Sequence, residues 1–142
     1  MDKNKPVYNF LGYQMVLVDY KRVKNTNIEK FSIKTYDRKF DEKINCFSFN
    51  VQLELKYSEE EASKFIFSVG FRINDLEWKK QIKEEGIIES IFFATVFPYI
   101  REKIYSVTND SRGAFNIPII DLRNAKLNQG ATFTFKKLEN KH

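Results

Sequence analysis

The sequence has one cysteine, one histidine and no long uncharged apolar run, and each scarcity removes a class of function. With Cys46 alone, neither an internal disulfide nor a cysteine-based zinc site can form within one chain. No activating base neighbours it in sequence, so it reads as a small strand residue and not as a reactive thiol. His142 is the only histidine and the last residue, which excludes a histidine-dependent hydrolase or a multi-histidine metal site by inventory. A bilayer span needs about 18 or more apolar residues with few charges. The most apolar stretch, residues 87–100, already carries Glu89 and Pro98. Met1-Asp2-Lys3-Asn4-Lys5 leads into neither the apolar segment nor the cleavage site of a secretory signal, so a soluble cytoplasmic protein without membrane insertion is expected.

What is present fits one domain over residues 1–142, with 42% hydrophobic residues to build its core. The formal charge of +5 allows weak attraction to polyanions. The basic residues are dispersed, however, with Lys21-Arg22, Lys79-Lys80 and Lys136-Lys137 as isolated adjacent pairs. That pattern fits a solvated surface of mixed charge, and a basic nucleic-acid-associated protein is the alternative reading from another class. Asp41-Glu42 and Glu59-Glu60-Glu61 read as solvated turns, because oxygen-ligand loops need spaced carboxylates and a sharp glycine turn. No metal and no cofactor is implied.

Alternation over residues 44–57 places Phe47, Phe49, Val51, Leu53, Leu55 and Tyr57 on one face of a half-buried strand. It returns in Phe65, Phe67, Val69, Phe71 and Ile73, opposed by Ile66, Ser68, Gly70 and Arg72, so the two strands pair as an antiparallel hairpin. Residues 13–23 and 28–36 read as two further strands, and four sequential strands predict a meander. In the first strand Met15 and Leu17 compete with Val16, Val18 and Tyr20 for the inner face.

After Ile73 the period changes. Asn74 or Asp75 can cap a helical segment in which Trp78 is an anchor, and Gly86 can interrupt it. Ile87, Ile88, Ile91, Phe92, Thr95, Val96, Tyr99, Ile100, Ile104 and Val107 then follow the spacing of a long amphipathic helix. Pro98 predicts a bend or restart within it. Phe93 and Phe97 widen its apolar surface beyond one stripe, which points to oligomerisation. Gly113 can end the helix, and Phe115 to Ile120, containing Pro118, reads as an extended loop. Residues 121–128 fit a short helix, and 131–135 alternate like a strand. The fold class expected is α+β, a four-stranded antiparallel sheet packed by one long helix.

Phe97-Pro98-Tyr99, Arg101-Glu102, Ile104, Ser111-Arg112-Gly113, Phe115, Pro118 and Asp121-Leu122 resemble the SecB family of protein-export chaperones over residues 10–122. The order of strands and helix matches that family too. Its members are homotetramers, dimers of dimers, whose long helices lie between two outer sheets. They hold unfolded polypeptides in apolar grooves without a nucleotide. The resemblance implies a client-peptide groove lined by Phe31, Ile33, Phe65, Phe67 and Val69, to which Phe93 and Phe115 are added from apolarity and position. Phe97, Pro98, Tyr99, Arg101, Glu102, Ser111, Arg112 and Gly113 take structural roles in the motif. Export members dock on the SecA motor through an acidic outer sheet surface. Here only Asp19 matches the acidic Asp-x-Ser-Phe-Glu stretch, with Lys21, Arg22 and Val23 in its second half, so the resemblance stops short of SecA docking.

No acid, base or metal accompanies Arg101 and Glu102, so the chain reads as a binding protein and not an enzyme. Aromatic side chains bury large areas with few rotors and accept varied apolar segments. A SecB-like holdase for non-native polypeptides or preproteins is therefore expected. A SecB-like chaperone dedicated to one client, such as the antitoxin of a toxin–antitoxin system, is the alternative within the same fold.

Overall fold

The computed structural model describes residues 6–19, 29–56, 62–81, 87–109, 115, 117, 120, 122 and 126–134. The expected long strands are present as β1 (Tyr8–Asp19), β2 (Lys30–Asp41), β3 (Cys46–Lys56) and β4 (Ala62–Ile73), and a short β5 (Ala131–Thr134) joins them. They form one five-stranded sheet in the order β1-β4-β3-β2-β5. The expected four-stranded meander is thereby corrected: β2, β3 and β4 are consecutive neighbours, but β1 crosses to pair with β4, and β5 adds a fifth strand beside β2. Alternation along a strand fixes which face is apolar but not which edge receives a strand from elsewhere in the chain. The Glu59-Glu60-Glu61 turn, Tyr20, Lys21, Arg22, Val23 and Tyr57 lie outside the described residues.

The hairpin of β3 and β4 has the expected inner face, with Phe47 opposite Phe71, Phe49 opposite Val69, Val51 opposite Phe67 and Leu53 opposite Phe65. All eight are buried. Such directly opposed apolar pairs stabilise a sheet by about 0.2–1 kcal/mol each relative to alanine pairs. The competition for the inner face of β1 is resolved by register shifts after Phe10 and after Met15. Tyr8, Phe10, Tyr13 and Met15 pair with inner-face residues of β4, and past the second shift Val18 does so opposite Phe65 while Leu17 turns outward opposite Ile66. Each extra residue flips the parity, so one strand carries two alternation patterns.

Asp75 starts α1 (Leu76–Gln81), its Oδ1 accepting from the amides of Glu77 and Trp78 at 3.0 and 3.2 Å. Trp78 stacks on Tyr8 with centroids 5.5 Å apart, the anchoring role expected of it. The long helix α2 (Ile87–Thr108) lies across the inner face. Phe92 sits 4.1 Å from Phe71, 4.8 Å from Tyr8 and 5.6 Å from Phe47, ring centre to ring centre. Of the bend or restart expected at Pro98, the restart does not occur, since α2 is continuous through it. Pro98 and Ala94 are both exposed, so the carbonyl that proline leaves unpaired faces water. Two further expectations are corrected. Tyr99 and Val107 lie on the exposed side of α2, and Phe93 and Phe97 point into the core, where they stack on each other at 5.1 Å and Phe97 stacks on Phe31 at 6.0 Å.

An ion pair between a buried carboxylate and an exposed guanidinium fixes the start of α2. Glu89 is 2% exposed, and its Oε1 accepts from Arg38 Nε at 2.8 Å. Arg38 stands in an irregularity of β2 where Asp37 has φ 55°, and its guanidinium also lies over the Phe47 ring at 5.3 Å. Glu89 Oε2 is buried without a hydrogen-bond partner, so the carboxylate depends on this one cation. Removing one partner of such a pair leaves an uncompensated charge. Arg38→Ala should therefore destabilise the chain by about 2–3 kcal/mol, and adding Glu89→Gln should recover at least half of that loss. Denaturant titrations of both variants check this, and a double variant no more stable than Arg38→Ala would show that the charge is not what matters.

Candidate functional site

The seven residues expected to line a client groove are brought onto one layer, but not an open one. Phe31, Ile33, Phe65, Phe67, Val69, Phe93 and Phe115 are all between 0 and 2% exposed. In the single chain they are core residues. The reason is that α2 covers the middle of the inner face and the chain then returns over the β2 side. Thr108 Oγ1 donates to the Ile104 carbonyl at 2.7 Å and accepts from the Phe115 amide at 2.9 Å, which turns the exit of α2 back on itself. Arg101 Nε donates to the Ile117 carbonyl at 2.8 Å with its guanidinium against Phe97. Phe115, Ile117, Leu122 and Leu127 are buried as a result.

The motif residues divide accordingly. Phe97 is core and Arg101 ties the helix to the returning segment. Pro98, Tyr99 and Glu102 are exposed, and Ser111, Arg112 and Gly113 lie outside the described residues, as does Pro118.

Two regions of the fold remain open to a partner. The first is the β1 side. β1 is an edge strand whose outward ladder is unpaired among the described residues, and Val16, Leu17 and Val18 are 59, 42 and 46% exposed. On the inner side its Phe10 and Tyr13 lie 5.5 and 6.2 Å from the half-exposed Tyr99 of α2. Tyr105 and Val107 are also exposed on α2. Sequence reasoning did not single out this strip, although four consecutive apolar residues, 15–18, in an otherwise alternating strand were a readable sign of an edge apolar on both faces. The second region is the β2 side, where among the described residues the four of β5 cover the edge over Phe31 and Ile33.

A shallow depression of about 350 Å³ on the outer face is lined by Leu11, Gly12, Tyr13, Gln14, Ser48, Ser68, Val69 and Gly70. It contains no ionisable acid or base apart from the Tyr13 phenol. No group of three His, Cys, Asp or Glu side chains able to hold a metal occurs among the described residues, and no described helix is long and apolar enough to cross a membrane. Some of the described cations are engaged locally. Lys79 lies 3.8 Å from the Phe40 ring centre, Lys80 is 3.6 Å from Glu77, and Arg38 and Arg101 serve the core as above. Lys21-Arg22 and Lys136-Lys137 fall outside the described residues.

No protein-family model and no curated protein sequence matches this chain. Its fold is similar to that of a solved structure, the Mycobacterium tuberculosis Rv1957 SecB-like chaperone in complex with a ChAD peptide from the Rv1956 HigA1 antitoxin. The TM-score is 0.56 with 16% identity, over 80% of this chain and 90% of the other. The α+β arrangement of an antiparallel sheet and a long helix is thus shared with a SecB-like chaperone.

The burial pattern makes a direct contrast. Val16→Asp, on the exposed edge, should change folding stability by less than about 1 kcal/mol, whereas Phe67→Asp buries a charge in the core and should prevent folding. Circular dichroism and thermal unfolding of the two variants check it. A folded Phe67→Asp would refute the assignment of the inner face.

Proposed function

We propose that this chain is a SecB-like molecular chaperone that holds non-native polypeptides without a nucleotide. The observation that carries this reading is a fold shared with a SecB-like chaperone, combined with apolar surface that the single chain leaves uncovered. Monomeric soluble proteins rarely expose long apolar edge strands, because such edges pair with other chains. The β1 strip and the exposed Tyr99, Tyr105 and Val107 of α2 are therefore assigned to self-association. Two copies of β1 pair about a twofold axis, and helices pack between sheets in a dimer of dimers. Clients are then held on the β2 side, at Phe31 and Ile33 of β2, where Phe31 stacks on Phe97 and Phe97 on Phe93. An extended segment that buries roughly 300 Å² of apolar surface gains about 7 kcal/mol at ~25 cal/mol per Å², before ordering costs are subtracted. That supports transient holding of many sequences, in unfolded or newly made chains.

The solved neighbour carries an antitoxin peptide, which favours a second reading within the same function: a dedicated chaperone of an antitoxin. Capture of bound polypeptides from cells separates the two, since a general holdase returns many unrelated clients and a dedicated one returns a single dominant partner. Docking on SecA is not part of the proposal. The outward positions of β4 are Lys64, Ile66, Ser68, Gly70 and Arg72, and they offer no acidic surface.

The test joins solution mass to aggregation suppression. The protein should sediment at four times the 16.9 kDa chain mass and suppress aggregation of an unfolded model protein at near-stoichiometric amounts. Val16→Asp/Val18→Asp should lower the mass without unfolding the chain. A monomer that suppresses nothing would remove the chaperone reading.

A further inference from the structure

We propose that residues 30–33 of β2 form a strand-accepting site whose resting occupant is the chain's own β5, and that an extended, uncharged client segment displaces it. The identity of the displacing partner as a client rests on the chaperone reading; the exchange itself rests on the geometry that follows.

β5 is four residues long and pairs with β2 only through Lys30↔Thr134, Phe31↔Phe133, Ser32↔Thr132 and Ile33↔Ala131. Strands this short, with half-exposed side chains and one neighbour, belong to the least stable part of a fold. The side chains of β5 are half-buried or exposed, whereas Phe31 and Ile33 beneath it are 0 and 1% exposed. On the inner face β5 contributes a methyl group from Ala131 and the Phe133 ring, 6.4 Å from Phe31. On the outer face a single hydroxyl contact joins Ser32 to Thr132 at 3.1 Å. A client segment with two large apolar residues at the inward positions makes the same ladder bonds and buries more area.

The chain also contains the hinge such an exchange requires. Gly130, immediately before β5, has φ 88°, a conformation that glycine reaches without strain. Upstream of it the turn is held independently of β5. Thr35 donates its amide to the Leu127 carbonyl at 2.9 Å, Gly130 donates to the same carbonyl at 3.1 Å, and Leu127 is fully buried. Rotation at Gly130 therefore releases β5 while Leu127 stays docked. Thr35 Oγ1 and Asn128 Oδ1, at this junction, are buried without hydrogen-bond partners, which makes the closed arrangement less than fully satisfied. Because β5 is tethered at high local concentration, the exchange selects for segments that outcompete it and leaves weak ones unbound. It also gives access to Phe31 and Ile33, which the single chain otherwise keeps covered.

The contact between Ser32 and Thr132 provides a lock. In a Cys46→Ser background, Ser32→Cys/Thr132→Cys forms a disulfide that holds β5 on β2, and a thiol reductant opens it. Binding of a fluorescein-labelled Thr-Leu-Thr-Phe-Thr-Leu peptide is read by anisotropy in the oxidised and reduced protein, beside a Phe133→Ala variant. The oxidised form should bind about tenfold or more weakly than the reduced form, and Phe133→Ala about threefold or more tightly than the unaltered chain. Equal binding by the oxidised and reduced forms, or no binding by either, overturns the proposal. Aggregation suppression measured on the same samples separates it from the chaperone reading. Peptide binding lost on locking, with no suppression by any form, leaves the exchange standing and removes the holdase. Full suppression by the locked form does the reverse.

Discussion

The structure depends on one constraint: an antiparallel sheet with one largely apolar face has to be covered, and among the described residues there is one long helix to cover it. Phe92 is where the cover is fastened. Its ring meets Phe71, Tyr8, Phe47 and Trp78, so a single residue of α2 joins β4, β1, β3 and the short helix before it. Tyr8 strengthens the same junction through a hydrogen bond between its hydroxyl and Thr95 Oγ1 at 2.6 Å. Glu89, three residues before Phe92, orients the helix by its bond to Arg38 on the opposite side of the sheet.

One helix cannot cover five strands, and the consequences run in both directions from α2. Towards β2 the chain covers the remaining inner face with its own returning segment, held by Thr108 and Arg101 and ending in a strand of four residues. Towards β1 it covers nothing beyond Met15, and Val18 is left 46% exposed although it stands on the inner face opposite Phe65. The two edges thus differ in kind. One is occupied by a short, replaceable strand; the other is unpaired and apolar on both faces.

Much of this was legible in the sequence. The alternation of Phe47 to Leu55 and of Phe65 to Ile73 identifies the central hairpin and its buried face, and Asp75 announces the first helix. The motif around Phe97 to Glu102 points to the fold that the comparison with the SecB-like chaperone supports. What stayed hidden was long-range. That β1 pairs with β4 and that β5 returns to β2 depends on which edges are free after the hairpin forms, and residue patterns carry no record of that. The bulged β1 misled a reading based on strict parity, since Phe10 and Met15 face inward on opposite parities. The predicted groove residues were recognised as one apolar layer, but their accessibility is set by α2 and by Phe115 to Leu127, whose path no local pattern reveals. Tyr99 was misplaced for a simpler reason: it follows helical spacing with Val96 and Ile100, yet sits at the margin of the buried stripe beside Pro98.

The claim at the centre of this account is that cover on the β2 side is replaceable and cover on the β1 side comes from another copy of the chain. The most direct measurement is amide hydrogen exchange of the assembled protein with and without a saturating, permanently unfolded polypeptide. The account predicts that the client alters protection along residues 30–33 of β2 and in β5, while β1 stays protected in both states. A client that changes protection only at β1, or a β1 that exchanges freely in the assembled protein, would contradict it.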